Sequence, residues 1–373
     1  MKFNNAYIPL QAAWSSPFVR WQGPAAEVSS LDMAAQVTKR AIDEREIGEI
    51  DELVLGLTVP QKQSFYGAPT LAAKLGLDAV SCPLIMQACA TSVAAIHAAA
   101  AGGTGTRLVV LTDRTSNGPH VVYPSAKAPG GTPQSENWVM DSFGCDPNTG
   151  EGMLTTAERV AEQGGFAKAE IDAVTARRWE QYEESLHGFQ ARWMVPIAVK
   201  RDEIAADWGI RPAPLETLEG LKPVADGGVV SYGSQTHPAD GCAGLVVRSQ
   251  PAEVRILSSG FARVGRGEMP KAPVPAAQAA LDDAGLTLDQ IDLIKTHNPF
   301  AVNDLWFAQQ TGFPLERMNP YGCSLIYGHP QGPTGARGLI ELMWALHDRG
   351  GGRGLFTGCA AGDTGAALVI EVA

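Results

Sequence analysis

Two hydrophobic periods run along this chain. From Leu31 to Ile42 apolar residues recur at helical spacing, which predicts an amphipathic helix, and an acidic linker follows it. Ile50 to Leu57, IDELVLGL, predicts a buried strand, and Ser64 to Leu75 a second helix. The apolar run Pro83 to Met86 predicts another buried strand. It turns at Gln87-Ala88 into a helix of small residues from Cys89 to Ala101. Gly102 to Gly105 ends that helix, and Arg107 to Thr112, RLVVLT, reads as a strand. Strands alternating with helices imply parallel pairing through right-handed crossovers.

From Ser116 the texture changes, as prolines, glycines and tryptophans accumulate through Glu151. Helices are predicted from Met153 to Gln163 and from Lys168 to His187, and the core resumes near Gly241 with the strand CAGLVVRS. The last third repeats the first at an offset of about 240 residues. Val274 to Ala284 is a helix, and Gln290 to Ile294 echoes Glu49 to Leu53. Ser324-Leu325-Ile326 and the helix Gly335 to His347 echo Leu84-Ile85 and the Cys89 helix. Leu355 to Thr357 echoes Val109 to Leu111. A duplication of this kind predicts two similar α/β halves with a site between them. The expected division is 1–115 with 240–250 as one half, 116–239 as an insertion serving substrate binding, and 251–373 as the other half.

Composition narrows the class. A chain of 373 residues is too long for one simple core. The net charge of −11, with no Lys/Arg cluster, argues against nucleic acid. No run of about 18 apolar residues could span a bilayer. The six cysteines are scattered without a CxxC pair or finger-spaced histidines, which argues against a disulfide framework and against a metal site. A cytoplasmic protein with reduced thiols is the expectation.

Four side chains carry candidate chemistry. Cys89 stands at a strand–helix junction, where backbone N–H groups and a helix N-terminus favour the thiolate; taken alone, it also fits a core cysteine. His297, in KTHNPFAVND, ends a strand. His329 lies in the Gly-His-Pro turn of NPYGCSLIYGHPQGPTGAR, and Cys359 in the glycine-rich turn of FTGCAAGDTG. Strand ends are where α/β sheets place their sites. His97 reads as a core histidine, and His120, His187, His237 and His347 show no catalytic spacing.

Together with QACATS at Cys89, these segments resemble the signature segments of the thiolase family. GHPQGPTGAR resembles its histidine motif and GCAAGDTG its C-terminal cysteine loop. Glu219 to Val224, Pro238 to Ala243, Ser116 to Pro119 and Met153 to Glu158 resemble further family segments in the family's order. The resemblance implies the five-layered αβαβα duplication. It also implies an acyl-CoA C-acyltransferase that cleaves a 3-oxoacyl-CoA with free CoA, or runs the reverse Claisen condensation. Cys89 would be the acylated nucleophile, His329 its proton acceptor, Cys359 the acid/base for the α-proton, and His297 a holder of a water or the thioester oxygen. The backbone at Ala361 would serve an oxyanion, and Met153, Thr236 and Phe300 would contact substrate. Coenzyme A enters as substrate with no bound cofactor. A homodimer or dimer of dimers is expected, paired along the Arg107 to Thr112 strand, with an additional small subunit as a further partner.

The chain departs from the family pattern in places. Trp14 to Phe18 replaces the usual Arg-Thr-Pro, Asn319 to Cys323 replaces Asn-x-x-Gly-Gly, Ala361 stands in the usual Cys-x-Gly, and Gly152 replaces a histidine that shapes the CoA site. Trp138, Trp179, Tyr182, Phe189, Trp193 and Tyr123 in the insertion suggest a bulky or aromatic acyl group, or rings that hold the insertion together. Two other functions stay open: a decarboxylating, ketoacyl-synthase-like condensing enzyme, against which Cys359 argues, and a non-catalytic acyl-CoA-binding subunit of a larger complex.

Overall fold

A computed structural model describes residues 1–45, 47–200 and 202–373. Its centre is an eleven-stranded sheet made of two like halves. In the first, Glu52–Gly56 runs parallel to Thr106–Arg114, which pairs antiparallel with Ala239–Arg248. In the second, Leu293–His297 runs parallel to Gly352–Ala360, which pairs antiparallel with Thr364–Val372. Tyr7–Ile8 joins the halves by pairing with both Ala239–Arg248 and Val254–Arg263.

The repeat extends to single hydrogen bonds. Asp51 accepts the Thr106 N–H at 2.7 Å, and Asp292 accepts the Arg353 N–H at 2.8 Å. Each carboxylate sits where a Cβ on the facing glycine would intrude, 2.8 Å from Gly105 and 2.6 Å from Gly352. Both glycines have positive φ, so a side chain there meets a clash and backbone strain together.

Helices form three layers around these half-sheets. Ser30–Glu44 and Gly67–Leu75 cover the outside of the first half, where Leu31, Val37 and Leu71 meet Leu53, Leu55 and Leu108. Pro273–Ala284 and Ala301–Thr311 cover the second, with Ala277, Leu281 and Phe307 against Ile294 and Val369. Thr91–Ala101 and Pro333–Asp348 lie between them and against each other. The Ser92 hydroxyl donates to the Gly332 carbonyl and accepts the Ala336 N–H at 2.8 Å, which locks the central helices at their N-termini. This is the five-layered α/β arrangement that the family resemblance implied, built on the two halves that the repeat predicted.

The chain between Ser116 and Pro238 carries the helices Met153–Gly164 and Lys168–Ser185 and two short hairpins. It is fastened to the core by buried charge. Arg337, wholly buried, donates twice to Asp207 at 2.6 and 2.7 Å and once to Glu341 at 3.1 Å. Its guanidinium lies over the rings of Tyr327, Phe18 and Trp193. Arg178 donates to Asp304 at 2.8 Å, and Asn298 and Asn319 donate to the same carboxylate.

Four expectations need correction. Arg107 to Thr112 is not an edge: its strand lies between Glu52–Gly56 and Ala239–Arg248. The outer strand of the first half is Leu84–Ile85, a two-residue strand with one neighbour, as Leu293–His297 is of the other half, so Pro83 to Met86 is not a buried strand and Leu84 and Met86 are exposed. Ser324–Tyr327, its counterpart in the repeat, is a helical turn and adds no strand. The second predicted helix starts at Gly67 instead of Ser64. Of the two readings of the insertion's rings, packing describes Tyr182, Phe189 and Trp193, which are buried in the core, while Tyr123 lies exposed on a hairpin.

Candidate active site

Cys89 sits in a 3-10 turn, Ala88–Ala90, just before the central helix that begins at Thr91. The preceding Ala88 has φ of +44°, a costly conformation for a residue with a Cβ. Thr91 holds it: its hydroxyl accepts the Gln87 N–H at 2.8 Å and donates to the Ala88 carbonyl at 2.7 Å. Gln331, with φ of +68°, forms the matching strained turn ahead of the other central helix. The two turns meet face to face.

There the Cys89 Sγ lies 3.1 Å from His329 Nε2 and 3.3 Å from Gln331 Oε1, which accepts the thiol proton. The other ring nitrogen of His329 is 2.6 Å from Thr334 Oγ1. His297 stacks on His329 with ring centroids 4.1 Å apart, and its Nδ1 is 2.9 Å from Ser324 Oγ. Cys359, at the end of the Gly352–Ala360 strand, is buried and accepts a 3.4 Å hydrogen bond from Asn303 Nδ2. The structure thus brings Cys89, His297, His329 and Cys359 together from four separate segments.

The resting thiols and imidazoles are uncharged. Burial pushes the Cys89 thiol up to about 11, against the backbone N–H groups of Ala361 and of Cys89 itself. This reverses the expectation of a favoured thiolate, because withdrawal from water outweighs the helix end. Burial holds His297 down to about 3 and His329 well below the usual imidazole range. It also raises Cys359. The neighbours are then a neutral thiol and a neutral imidazole base, arranged for proton transfer as the sulfur attacks.

Above Cys89 opens an apolar cavity of about 370 Å³, whose walls include Met153, Thr236, Phe300, His329, Cys359 and Ala361. Its remaining apolar walls include Met140, Phe143, Leu154 and Met269. A second cleft of about 380 Å³ meets it at Phe143, Gln331 and Ala361 and continues past Trp138, Met86 and Glu136. Of the insertion's rings named above, Trp138 alone lines either cleft, with its indole N–H held by the Thr58 carbonyl at 3.1 Å. Gly152 lines neither.

Family comparison agrees with this arrangement. Residues 10–251 match the thiolase N-terminal domain and residues 251–372 the thiolase C-terminal domain. The chain belongs to the thiolase family. It is therefore an acyltransferase. This thiolase is 28% identical to the acetyl-CoA acetyltransferase of Pseudomonas aeruginosa, over 97% of the chain and 98% of that relative. It is 29% identical to the acetyl-CoA acetyltransferase of Escherichia coli, over 94% and 95%. It is also 28% identical to the beta-ketoadipyl-CoA thiolase of Acinetobacter baylyi, over 95% and 97%. Its fold matches human mitochondrial 3-ketoacyl-CoA thiolase in complex with CoA at a TM-score of 0.91, with 23% identity and 99% and 98% coverage. It matches the Bacillus anthracis acetyl-CoA acetyltransferase at 0.90, with 26% identity and both chains fully covered.

Two residues of this thiolase's site had escaped the sequence reading. Gln331 lay inside the histidine motif, where nothing marked its amide as the acceptor of the Cys89 proton. Asp113, in a strand that otherwise reads as plain core, accepts the N–H groups of Thr58 at 2.8 Å and Val59 at 2.7 Å with one oxygen. With the other it accepts the N–H of Gly332 at 2.8 Å. It joins the two loops that flank Cys89. The half-buried His97 faces Ser259 at 2.7 Å between Phe3 and Phe261, remote from both clefts. His237 supports the site through its backbone, its carbonyl accepting the His329 N–H at 2.9 Å.

Proposed function

We propose that this thiolase cleaves a 3-oxoacyl-CoA with free CoA, or runs the reverse condensation, through an acyl-Cys89 intermediate. The observation that carries the reading is the 3.1 Å approach of Cys89 Sγ to His329 Nε2 at the floor of a cavity that Cys359 also lines. As Sγ attacks the 3-oxo carbon, its proton passes to His329 Nε2. The C2–C3 bond breaks, the acyl group stays on Cys89, and the enolate carbon of acetyl-CoA takes the Cys359 proton. The incoming CoA thiol returns a proton to Cys359 and attacks the acyl carbon. Cys89 leaves as a thiol by recovering the proton from His329. The neutral His297 and the Ala361 N–H serve the developing oxyanions, where a donor contributes about 3–4 kcal/mol.

The apolar arm of CoA and the acyl group divide the two joined clefts between them, with Met153, Thr236 and Phe300 contacting substrate. Two cavities of this size leave room for an acyl chain bulkier than acetyl, aromatic or branched. The stacked His297 and His329 also suit a decarboxylating condensing enzyme; Cys359 in the cavity wall favours the thiolytic reading. Exposed Leu84 and Met86 at the sheet edge, with exposed Phe65 and Tyr66 just ahead of the helix Gly67–Leu75, support assembly as a homodimer, which sedimentation at micromolar concentration tests. For the substrate, kcat/KM for acetoacetyl-CoA is compared with that for a phenyl-bearing 3-oxoacyl-CoA. We expect the phenyl compound to be favoured. A tenfold preference for acetoacetyl-CoA, about 1.4 kcal/mol, would end the bulky-acyl reading.

A further inference from the structure

Three donor atoms at the floor of the cavity, which the proposed acyl transfer uses for attack, proton transfer and oxyanion binding, also form a set of metal donors. Cys89 Sγ and one ring nitrogen each of His297 and His329 lie within 4.8 Å of one another. The opposite nitrogens are tied off, His297 Nδ1 by Ser324 at 2.9 Å and His329 Nδ1 by Thr334 at 2.6 Å. Both Nε2 atoms are thereby left for the interior. His297 Nε2 is buried and has no protein hydrogen-bond partner among the described residues. A hydrogen-bond partner behind the ring, commonly a carboxylate, carbonyl or water, fixes the orientation of a metal-ligating histidine, and here two hydroxyls hold that position.

We propose that Cys89, His297 and His329 form a binding site for a soft divalent cation, and that Zn2+ occupying it reversibly inhibits this thiolase. Zinc takes sulfur at about 2.3 Å and imidazole nitrogen at about 2.0–2.1 Å, so tetrahedral donors stand about 3.3–3.6 Å apart. The Cys89–His329 distance of 3.1 Å is already close to that, and the three donors, all within 4.8 Å of one another, reach the tetrahedral spacing by side-chain rotation. The fourth position faces the cavity, where a water completes the tetrahedron. Binding exchanges the Cys89 thiol proton for the metal, which forms the Sγ–Zn bond and releases one proton to solvent. With no carboxylate in the trio, Mg2+ and Ca2+ find no suitable donors. A bound zinc ion engages the thiol and both imidazoles together, so neither attack nor proton transfer can begin until a chelator removes it.

The test uses the full chain stripped with a chelator and titrated with ZnCl2 against a chromophoric competitor. In parallel, iodoacetamide labelling of Cys89 is followed by mass spectrometry. We expect one zinc per chain, labelling of Cys89 slowed at least tenfold by zinc but not by MgCl2, and recovery on adding chelator. His297→Asn should weaken binding about 100-fold and Ser324→Ala about 10-fold, while Cys145→Ser, at an exposed thiol, leaves it unchanged. Circular dichroism and continued labelling of Cys89 without zinc show that the His297→Asn site is still folded. Zinc that fails to protect Cys89, or binds Cys89→Ser as tightly as the native chain, overturns the proposal.

Discussion

Asp113→Asn is the substitution most informative about how the site is held. The native carboxylate accepts three backbone N–H groups, two on one oxygen and one on the other. Asparagine keeps a single acceptor oxygen. If that oxygen stays with Thr58 and Val59, the amide NH2 confronts the Gly332 N–H, donor against donor. One charge-assisted hydrogen bond is lost and a buried N–H is left unpaired, which together cost about 2 kcal/mol once the relief from burying a charge is subtracted. Rotating the amide instead leaves two N–H groups unpaired. Burial raises the Asp113 carboxyl to about 7, against these same N–H donors, so the native group is mainly ionised at pH 8. A folded value above the ordinary 3.8 means that the folded protein takes up a proton as pH falls through 7; stability from this residue is lost as pH rises through it. The gap between native protein and variant should therefore widen by about 1 kcal/mol from pH 8 to pH 6, and the comparison cancels every other titrating group. Urea unfolding of both proteins at the two pH values measures this. Because Gly332 stands three residues after His329, and Thr58 contacts the Ala88 carbonyl, the rate of Cys89 acylation should also fall about tenfold or more. A variant within 0.5 kcal/mol of the native protein at both pH values, with native acylation, would refute the reasoning.

Other consequences are independent of that one. With the Cys89 thiol raised to about 11, its thiolate fraction at pH 7 is about 10⁻⁴, so the iodoacetamide rate should still climb between pH 8 and 10; a plateau below pH 8.5 contradicts the burial argument. Thr334→Val removes the group facing His329 Nδ1 and should lower kcat about tenfold with little change in KM, because the ring is mispositioned while the cavity is intact; an unchanged kcat rules the contact out as a support. Arg337→Met leaves Asp207 without its buried cation and Glu341 with Lys295 alone, and should cost about 3–5 kcal/mol in urea unfolding; a loss below 1 kcal/mol would mean that the insertion is anchored elsewhere.

The duplication was legible because its markers are local. Asp51 and Asp292 each precede a strand, face a glycine on the next parallel strand and cap its first N–H, so the same few residues recur wherever that unit is built. The four candidate residues that the structure brings together stood out for a similar reason, since each lies near a strand end or a helix start. Four features needed the third dimension. An apolar run such as Leu84 to Met86 looks the same at the middle of a sheet and at its edge, and neighbours decide which. Cys89 has a helix end beneath it, which lowers a thiol, but the walls that raise it further come from segments some 240 residues away. Tyr182, Phe189 and Trp193 are rings that a cavity or a core accepts equally, and the buried Arg337 took Trp193 as part of its setting. Asp113 carries no sequence signal, because its three partners lie in two other loops.

The central claim is that an acyl group is carried on Cys89 and that Cys359 acts in a different step. Intact-protein and peptide mass spectrometry of the Cys359→Ala enzyme, mixed with a simple acyl-CoA and quenched, tests it most directly. The account predicts a thioester adduct of one acyl group on the peptide bearing Cys89, absent in Cys89→Ser and slow to form in His329→Ala. An adduct on any other cysteine, or none while the native enzyme turns over the same substrate, would contradict it.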